Sequence, residues 1–239
     1  LVPAWLPWHR FFAYLVGACF IAAALSLATK IQTRLAATLL AVVFFLFVAL
    51  MDVPGWLQQP GDRVALALVL RELAFGGAAL AFAGSLSPGF RERGTHILTT
   101  IGRYCVAVPV LYYSLEQFLH GSVLAAVPLA RLTPAWIPGH ALWTYLSAVV
   151  YVAAGVLLVA GIKTHAAALW LGATVLLIEL AVYVPIGIAG RASLDLGLNY
   201  VGDTLMFCGA LLLLAAAMPR PQQTPAPASV PGSRRMAVQ

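Results

Sequence analysis

The stretch PAWLPWHRFFAYLVGACFIAAALSLAT at positions 3–29 combines a Pro- and Trp-rich entry with a continuous apolar run. Each helical residue rises about 1.5 Å, so about 20 residues cross a hydrocarbon core of roughly 30 Å. The run is apolar on all sides, whereas a transmembrane barrel strand alternates apolar and polar residues. In lipid, the backbone N–H and C=O groups of such a segment must form their hydrogen bonds with one another, so the stretch predicts a membrane-spanning α-helix.

The composition extends this prediction to the whole chain. Of 239 residues, 62% are hydrophobic and 9% are charged, and the mean hydropathy is +0.93. Soluble domains are roughly half apolar and one-quarter charged, so an ordinary soluble domain is excluded. The fold class predicted is an all-α polytopic membrane protein with seven transmembrane helices, at 9–29, 35–53, 64–86, 96–120, 141–162, 166–188 and 198–218.

The opening phrase returns later in the chain. PAWLPWHRFFAYL at 3–15 matches PAWIPGHALWTYL at 134–146 in seven of thirteen positions, at an offset of 131 residues. The same offset pairs Pro54 with Pro185 and Glu72 with Asp203. Self-similarity at a fixed offset is typical of an internal repeat.

The helix at 96–120 precedes the second phrase, and its counterpart would fall before residue 1. The sequence therefore predicts two four-helix units that run in parallel because each has an even number of spans. Residues 1–90 form a first unit without its first helix, and residues 91–218 form a complete second unit. Residues 219–239 are rich in proline and read as a disordered cytoplasmic tail.

The positive charge predicts the orientation in the bilayer. Nine Lys and Arg residues fall on one side of the predicted spans and five on the other. By the positive-inside rule the first side is cytoplasmic, which places the visible N-terminus outside and the C-terminus inside. The basic residues are scattered rather than gathered on one face, so the net charge of +6 does not indicate a nucleic-acid partner.

Three segments carry a family resemblance: GRYCVAVPVLYYSLEQFLHG at 102–121, TPAWIPGHALWTYL at 133–146 and LNYVGDTLMFCGALLLL at 198–214. Their order resembles the DoxX-like family of small bacterial four-helix membrane proteins. The resemblance implies a multi-pass protein of the bacterial cytoplasmic membrane. Some relatives are linked to quinone-coupled sulfur oxidation or redox-stress assemblies, so it also implies a quinone as the candidate cofactor and other membrane redox subunits as candidate partners. The tandem duplication and the absent first helix depart from the family's simplest pattern.

Ionisable side chains inside the predicted spans are the candidate functional residues. A charged group at mid-bilayer costs roughly 2.5–3.5 kcal/mol on insertion scales, so it needs a partner, a proton or a function. Tyr112, Glu116 and His120 follow each other at four-residue spacing and share one helix face. The residues predicted to line a common interior space in the outer half of the second unit are Tyr112, Glu116, His120, His140, Glu179 and Asp203.

Three interpretations of this polar set stay open at the level of sequence. The groups fix helix packing through hydrogen bonds, or they bind a small polar-headed apolar molecule such as a quinone. The third is a metal site formed by Glu116, His120, His140 and Asp203, although no spacing matches a recognised metal motif.

Functional expectations follow from what the chain contains. Three isolated cysteines and no haem or nucleotide motif predict no autonomous catalytic activity. The first hypothesis is an accessory or quinone-interacting subunit of a membrane redox assembly. The alternatives are a small-solute transporter, suggested by the repeat, and a purely structural membrane scaffold.

Overall fold

The computed structural model describes residues 8–86, 92–120, 139–185 and 194–220, with the side chains of residues 9, 92–95, 140–141 and 194–200 left undescribed. Within these ranges the chain forms helices joined by short turns and contains no strand, as the sequence predicts. The α-helices are α1 His9–Thr29, α2 Thr33–Phe47, α3 Val53–Gln58, α4 Arg63–Ser85, α5 Glu92–Leu119, α6 His140–Ala160, α7 Thr164–Ile178 and α8 Leu194–Ala217. The predicted tail lies outside the described residues, apart from its first two positions.

Two helical segments contain a π-turn. Val48–Asp52 joins α2 to α3, and Glu179–Tyr183 continues α7. In each turn the hydrogen-bond register lengthens from four residues to five, so that the N–H of Val184 donates to the carbonyl of Glu179. Such turns occur mostly as single insertions and often at functional sites.

Five helical segments of the described chain are long and apolar enough to cross a membrane. They are Arg10–Thr29, Thr33–Gln58, Arg63–Ser85, Leu142–Ala160 and Thr164–Tyr183. Val201–Ala217 is a shorter apolar segment, and α5 is long but carries more polar residues. Membrane-compatible helices are therefore present, while the count of seven spans stays a prediction.

The helix bounds recur at the offset found in the sequence. Adding 131 to His9–Thr29 gives His140–Ala160, and adding it to Thr33–Phe47 gives Thr164–Ile178. The two π-turns are related in the same way. Three pairs of residues with positive φ also match: Trp8 with Gly139, Lys30 with Gly161 and Gln32 with Lys163.

Helix packing is centred on α4, which contacts α2, α5 and α8, while α5 contacts α6 and α7 contacts both α6 and α8. Small residues bring α4 and α5 close together, because a Cβ atom at Gly77 would lie 2.8 Å from the carbonyl oxygen of Gly102. Phe75 of α4 lies 5.3 Å from Phe44 and 6.2 Å from Phe207, measured between ring centroids. The aromatic core therefore joins helices from both predicted units.

Candidate functional site

The first polar cluster lies where α5 ends and α4 begins. Tyr112 and Glu116 follow one another along α5, His120 comes directly after its last residue, and Arg63 is the first residue of α4. The side chain of Asp62 caps α4 by accepting hydrogen bonds from the backbone N–H groups of residues 64 and 65. This cap fixes the position of Arg63 beside the α5 residues.

Arg63 connects the members of this cluster. One guanidinium nitrogen lies 2.9 Å from Glu116 Oε2, and another lies 2.6 Å from His120 Nε2. The Tyr112 hydroxyl donates to the Arg63 carbonyl oxygen at 3.4 Å. A guanidinium can only donate, so His120 Nε2 must act as an acceptor and the ring proton belongs on Nδ1. Nδ1 lies 3.5 Å from Glu116 Oε2, on the side where that carboxylate can attract the proton.

Exposure differs within this cluster. The Glu116 side chain is 14% exposed, whereas the side chains of His120 and Arg63 are 38% and 54% exposed. The carboxylate thus lies beneath an imidazole and a guanidinium that remain accessible. The arrangement presents hydrogen-bond donors and an acceptor at one end of an otherwise apolar bundle.

The second polar cluster lies in the interior, between α4 and α8. Arg71 Nη1 lies 2.6 Å from Asp203 Oδ2, and Arg71 Nη2 lies 3.4 Å from Glu72 Oε1. Asp52, the last residue of the first π-turn, is near enough to interact electrostatically with Arg71 and Glu72. One guanidinium therefore serves up to three carboxylates in a region where unpaired charge is expensive.

The third polar group is Glu179, the first residue of the second π-turn. It is 2% exposed, and neither carboxylate oxygen has a hydrogen-bond partner among the described residues. The Cys208 thiol is near enough to interact with it electrostatically. Leu180, next in sequence, is 58% exposed, so the turn directs Glu179 inward and its neighbour outward.

The six residues predicted as one site thus have their described contacts in three places. Tyr112, Glu116 and His120 are together, Asp203 is paired with Arg71, and Glu179 is buried separately. The side chain of His140 lies outside the described part of the chain. Within that part, no three His, Cys, Asp or Glu side chains are grouped so as to hold a metal ion.

Sequence reasoning missed the two arginines that organise these clusters. Neither Arg63 nor Arg71 is among the residues that the sequence predicts to line the site. The signal available for Arg71 was that the carboxylates Glu72 and Asp203 lie 131 residues apart, the same offset at which the helix bounds recur. An arginine inside a span needs a carboxylate partner, and either acid could supply it.

Comparison with known proteins found no family model, curated protein or solved structure that matches this chain. Its class is therefore defined by its own features: a helical protein with several helices compatible with a membrane and buried ion pairs between them.

Proposed function

We propose that the chain is an integral protein of the bacterial cytoplasmic membrane with seven spans in two parallel DoxX-like units. The recurrence of helix bounds, π-turns and positive-φ residues at one offset supports the two units. α5 would be the first helix of the second unit, and α8 the last. The visible N-terminus would face the outside and the C-terminus the cytoplasm, as the distribution of Lys and Arg favours.

We propose further that this protein binds a quinone-type molecule and serves as an accessory subunit of a membrane redox assembly. The cluster of Arg63, Glu116, His120 and Tyr112 carries this proposal. A quinone head group needs hydrogen-bond donors for its carbonyl oxygens, and the partly exposed guanidinium of Arg63 supplies them. Its hydrocarbon tail needs apolar helix surfaces, which lie directly beside the cluster on α5.

The chain would supply binding and orientation, while a partner would supply the electron donor or acceptor. His120 and Arg63 are exposed enough to reach a head group at the membrane interface. Glu116 would hold the proton-bearing Nδ1 of His120 in place and leave the opposite ring nitrogen directed at Arg63. A head group that accepts from Arg63 would then compete with His120 Nε2 for the same donor.

The experiment is purification of the full chain from its own membrane in mild detergent, followed by solvent extraction and chromatography of bound quinones. We expect near-stoichiometric quinone with the natural sequence and at least a tenfold loss in Glu116→Gln and His120→Ala. His96→Ala is the matched control, because His96 lies near the opposite end of α5 and contacts Thr100 within that helix. Absence of quinone from the natural protein, or equal loss in His96→Ala, would refute the proposal.

A second candidate, transport of a small solute, is favoured by the two π-turns. They interrupt two long apolar segments at equivalent positions, and irregular backbone within a span is characteristic of transporter binding sites. Uptake into vesicles by the reconstituted protein, with no bound quinone after purification, would favour this candidate over the first.

A further inference from the structure

Three oxygen-bearing side chains inside the second half of the chain have no hydrogen-bond partner among the described residues. Glu179 is 2% exposed, and Tyr151 and Thr204 are 0% exposed. Both oxygens of Glu179, the hydroxyl of Tyr151 and the hydroxyl of Thr204 are buried and unpaired in that region. An unsatisfied buried polar group costs about 1–3 kcal/mol, so four such atoms require an explanation.

These side chains come from α6, α8 and the second π-turn, and they are linked through Cys208 of α8. Cys208 is near enough to interact electrostatically with Glu179 of the π-turn and with Tyr151 of α6. Thr204 precedes Cys208 by four residues and therefore lies on the same face of α8. The Cys208 thiol donates to the carbonyl of Gly172 in α7 at 3.4 Å, which anchors this face against α7.

The π-turn accounts for the inward position of the carboxylate. In the π-turn the N–H of Val184 reaches back five residues to the Glu179 carbonyl, which widens the backbone at this point. The equivalent turn in the first half begins with Val48, which has no polar side chain. The carboxylate at the first position of the turn thus distinguishes the second half from the first.

We infer that Glu179, Tyr151 and Thr204 form a binding site for a monovalent metal cation such as sodium. Carboxylate and hydroxyl oxygens suit hard cations, and the described residues near Glu179 offer no cluster of nitrogen or sulfur ligands for a transition metal. A single carboxylate neutralises a single positive charge. A divalent cation would leave a net charge in the apolar interior, where it is strongly unfavourable.

This site is distinct from the proposed quinone site. It uses residues of α6, α8 and the second π-turn, whereas the quinone cluster uses α4 and the end of α5. Sodium binding would stabilise the packing of α6, α7 and α8, because a ligand that binds the folded state raises its stability with concentration. Failure of one proposal leaves the other intact.

The test measures thermal unfolding of the purified full chain in detergent at constant ionic strength, with sodium chloride replaced stepwise by choline chloride. We expect the midpoint to rise with the logarithm of sodium concentration in the natural protein. Glu179→Gln should abolish this dependence. Thr204→Val and Tyr151→Phe should each raise the half-maximal sodium concentration by at least tenfold.

Two control variants separate the site from general effects. Thr174→Val removes a hydroxyl that is bonded to the Trp170 carbonyl on the same helix, α7, and should leave the sodium dependence unchanged. Asp52→Asn removes the carboxylate of the other π-turn and should also leave it unchanged.

The hydroxyl variants also test whether these groups have a ligand at all. If they have none, Thr204→Val and Tyr151→Phe will raise the unfolding midpoint equally in sodium and in choline, because each removes an unsatisfied buried group. That result would overturn the inference. A natural protein whose midpoint responds to pH but not to sodium, lithium or potassium would overturn it too, since Glu179 would then bind only a proton.

Discussion

At the scale of single residues, Arg71 forms the buried ion pair that joins α4 to α8. It joins Asp203 of α8 to Glu72 of its own helix, and its side chain is 10% exposed. Replacing such a pair by apolar groups of similar size is often neutral, whereas removing one partner leaves an uncompensated buried charge. The ion pair therefore specifies how the two halves meet more than it adds net stability.

Replacement of Arg71 by methionine should lower the free energy of unfolding by about 3–5 kcal/mol, because Asp203 and Glu72 lose their counter-charge. Unfolding of the purified variant in detergent, followed by circular dichroism, measures this loss. Arg34→Met, at an exposed position of α2, should change stability by no more than about 0.5 kcal/mol. A double variant Arg71→Met/Asp203→Leu should recover part of the loss, and failure to recover any would contradict this account.

Tyr113 makes a second contact between helices, but a neutral one. It is 2% exposed, and its hydroxyl donates to the carbonyl oxygen of Ala67 in α4 at 2.9 Å. Tyr113→Phe keeps the ring against Phe207 and should lower stability by about 0.6–1.7 kcal/mol, the range seen for such bonds between membrane helices. Tyr14→Phe serves as the control, because Tyr14 is 78% exposed. Equal unfolding midpoints for the two variants would show that the Tyr113 bond contributes nothing.

At the scale of elements, the apolar runs were sufficient to predict the helices and their approximate bounds. The first predicted span, 9–29, coincides with α1. The second was predicted to end at 53, before Pro54, yet the helical segment continues to Gln58. Pro54 lies in the first turn of α3 just after the π-turn. A proline is tolerated there because the backbone N–H that it lacks would have no partner within the first turn.

The π-turns and the arginine partners could not be predicted in the same way. A π-turn adds one residue to a turn without changing the apolar pattern, so periodicity gives no signal for Val48–Asp52 or Glu179–Tyr183. The four-residue spacing of Tyr112, Glu116 and His120 predicted that their side chains share a face, because that prediction needs only the periodicity of a single helix. The choice of Arg63 as their partner depends on how α4 packs against α5, which no local pattern encodes.

Close contact between α4 and α5 rests on glycine. A Cβ atom at Gly77 would meet the Cβ of Cys105 and lie 2.8 Å from the Gly102 carbonyl oxygen, so backbone would have to move. Gly77→Ala should lower stability by about 1–3 kcal/mol through overpacking, measured by thermal unfolding in detergent. Gly17→Ala, on α1 where nothing lies within 4 Å, should raise it by about 0.5–1 kcal/mol through helix propensity. A destabilisation of the same size at both positions would argue against specific packing.

At the scale of the whole molecule, the two halves differ in their polar content although their helix bounds match. The ion pair between Arg71 and Asp203 spans the halves, as does the cluster formed by Arg63 and Glu116. Glu179, by contrast, has Val48 as its counterpart in the first half. The first half therefore has no carboxylate at the position that corresponds to Glu179 at the offset of 131 residues.

The orientation of the whole chain in the bilayer can be tested at two described loops. The excess of Lys and Arg predicts that the loop after α6 is cytoplasmic and that the loop between α3 and α4 is external. Gly61 has open space around the position of a Cβ atom, and Ile162 is 55% exposed, so a cysteine fits at either place. In a background with Cys19, Cys105 and Cys208 replaced by alanine, a membrane-impermeant maleimide added to intact cells should label Gly61→Cys. It should label Ile162→Cys only after permeabilisation, and labelling of Ile162→Cys alone in intact cells would reverse the proposed topology.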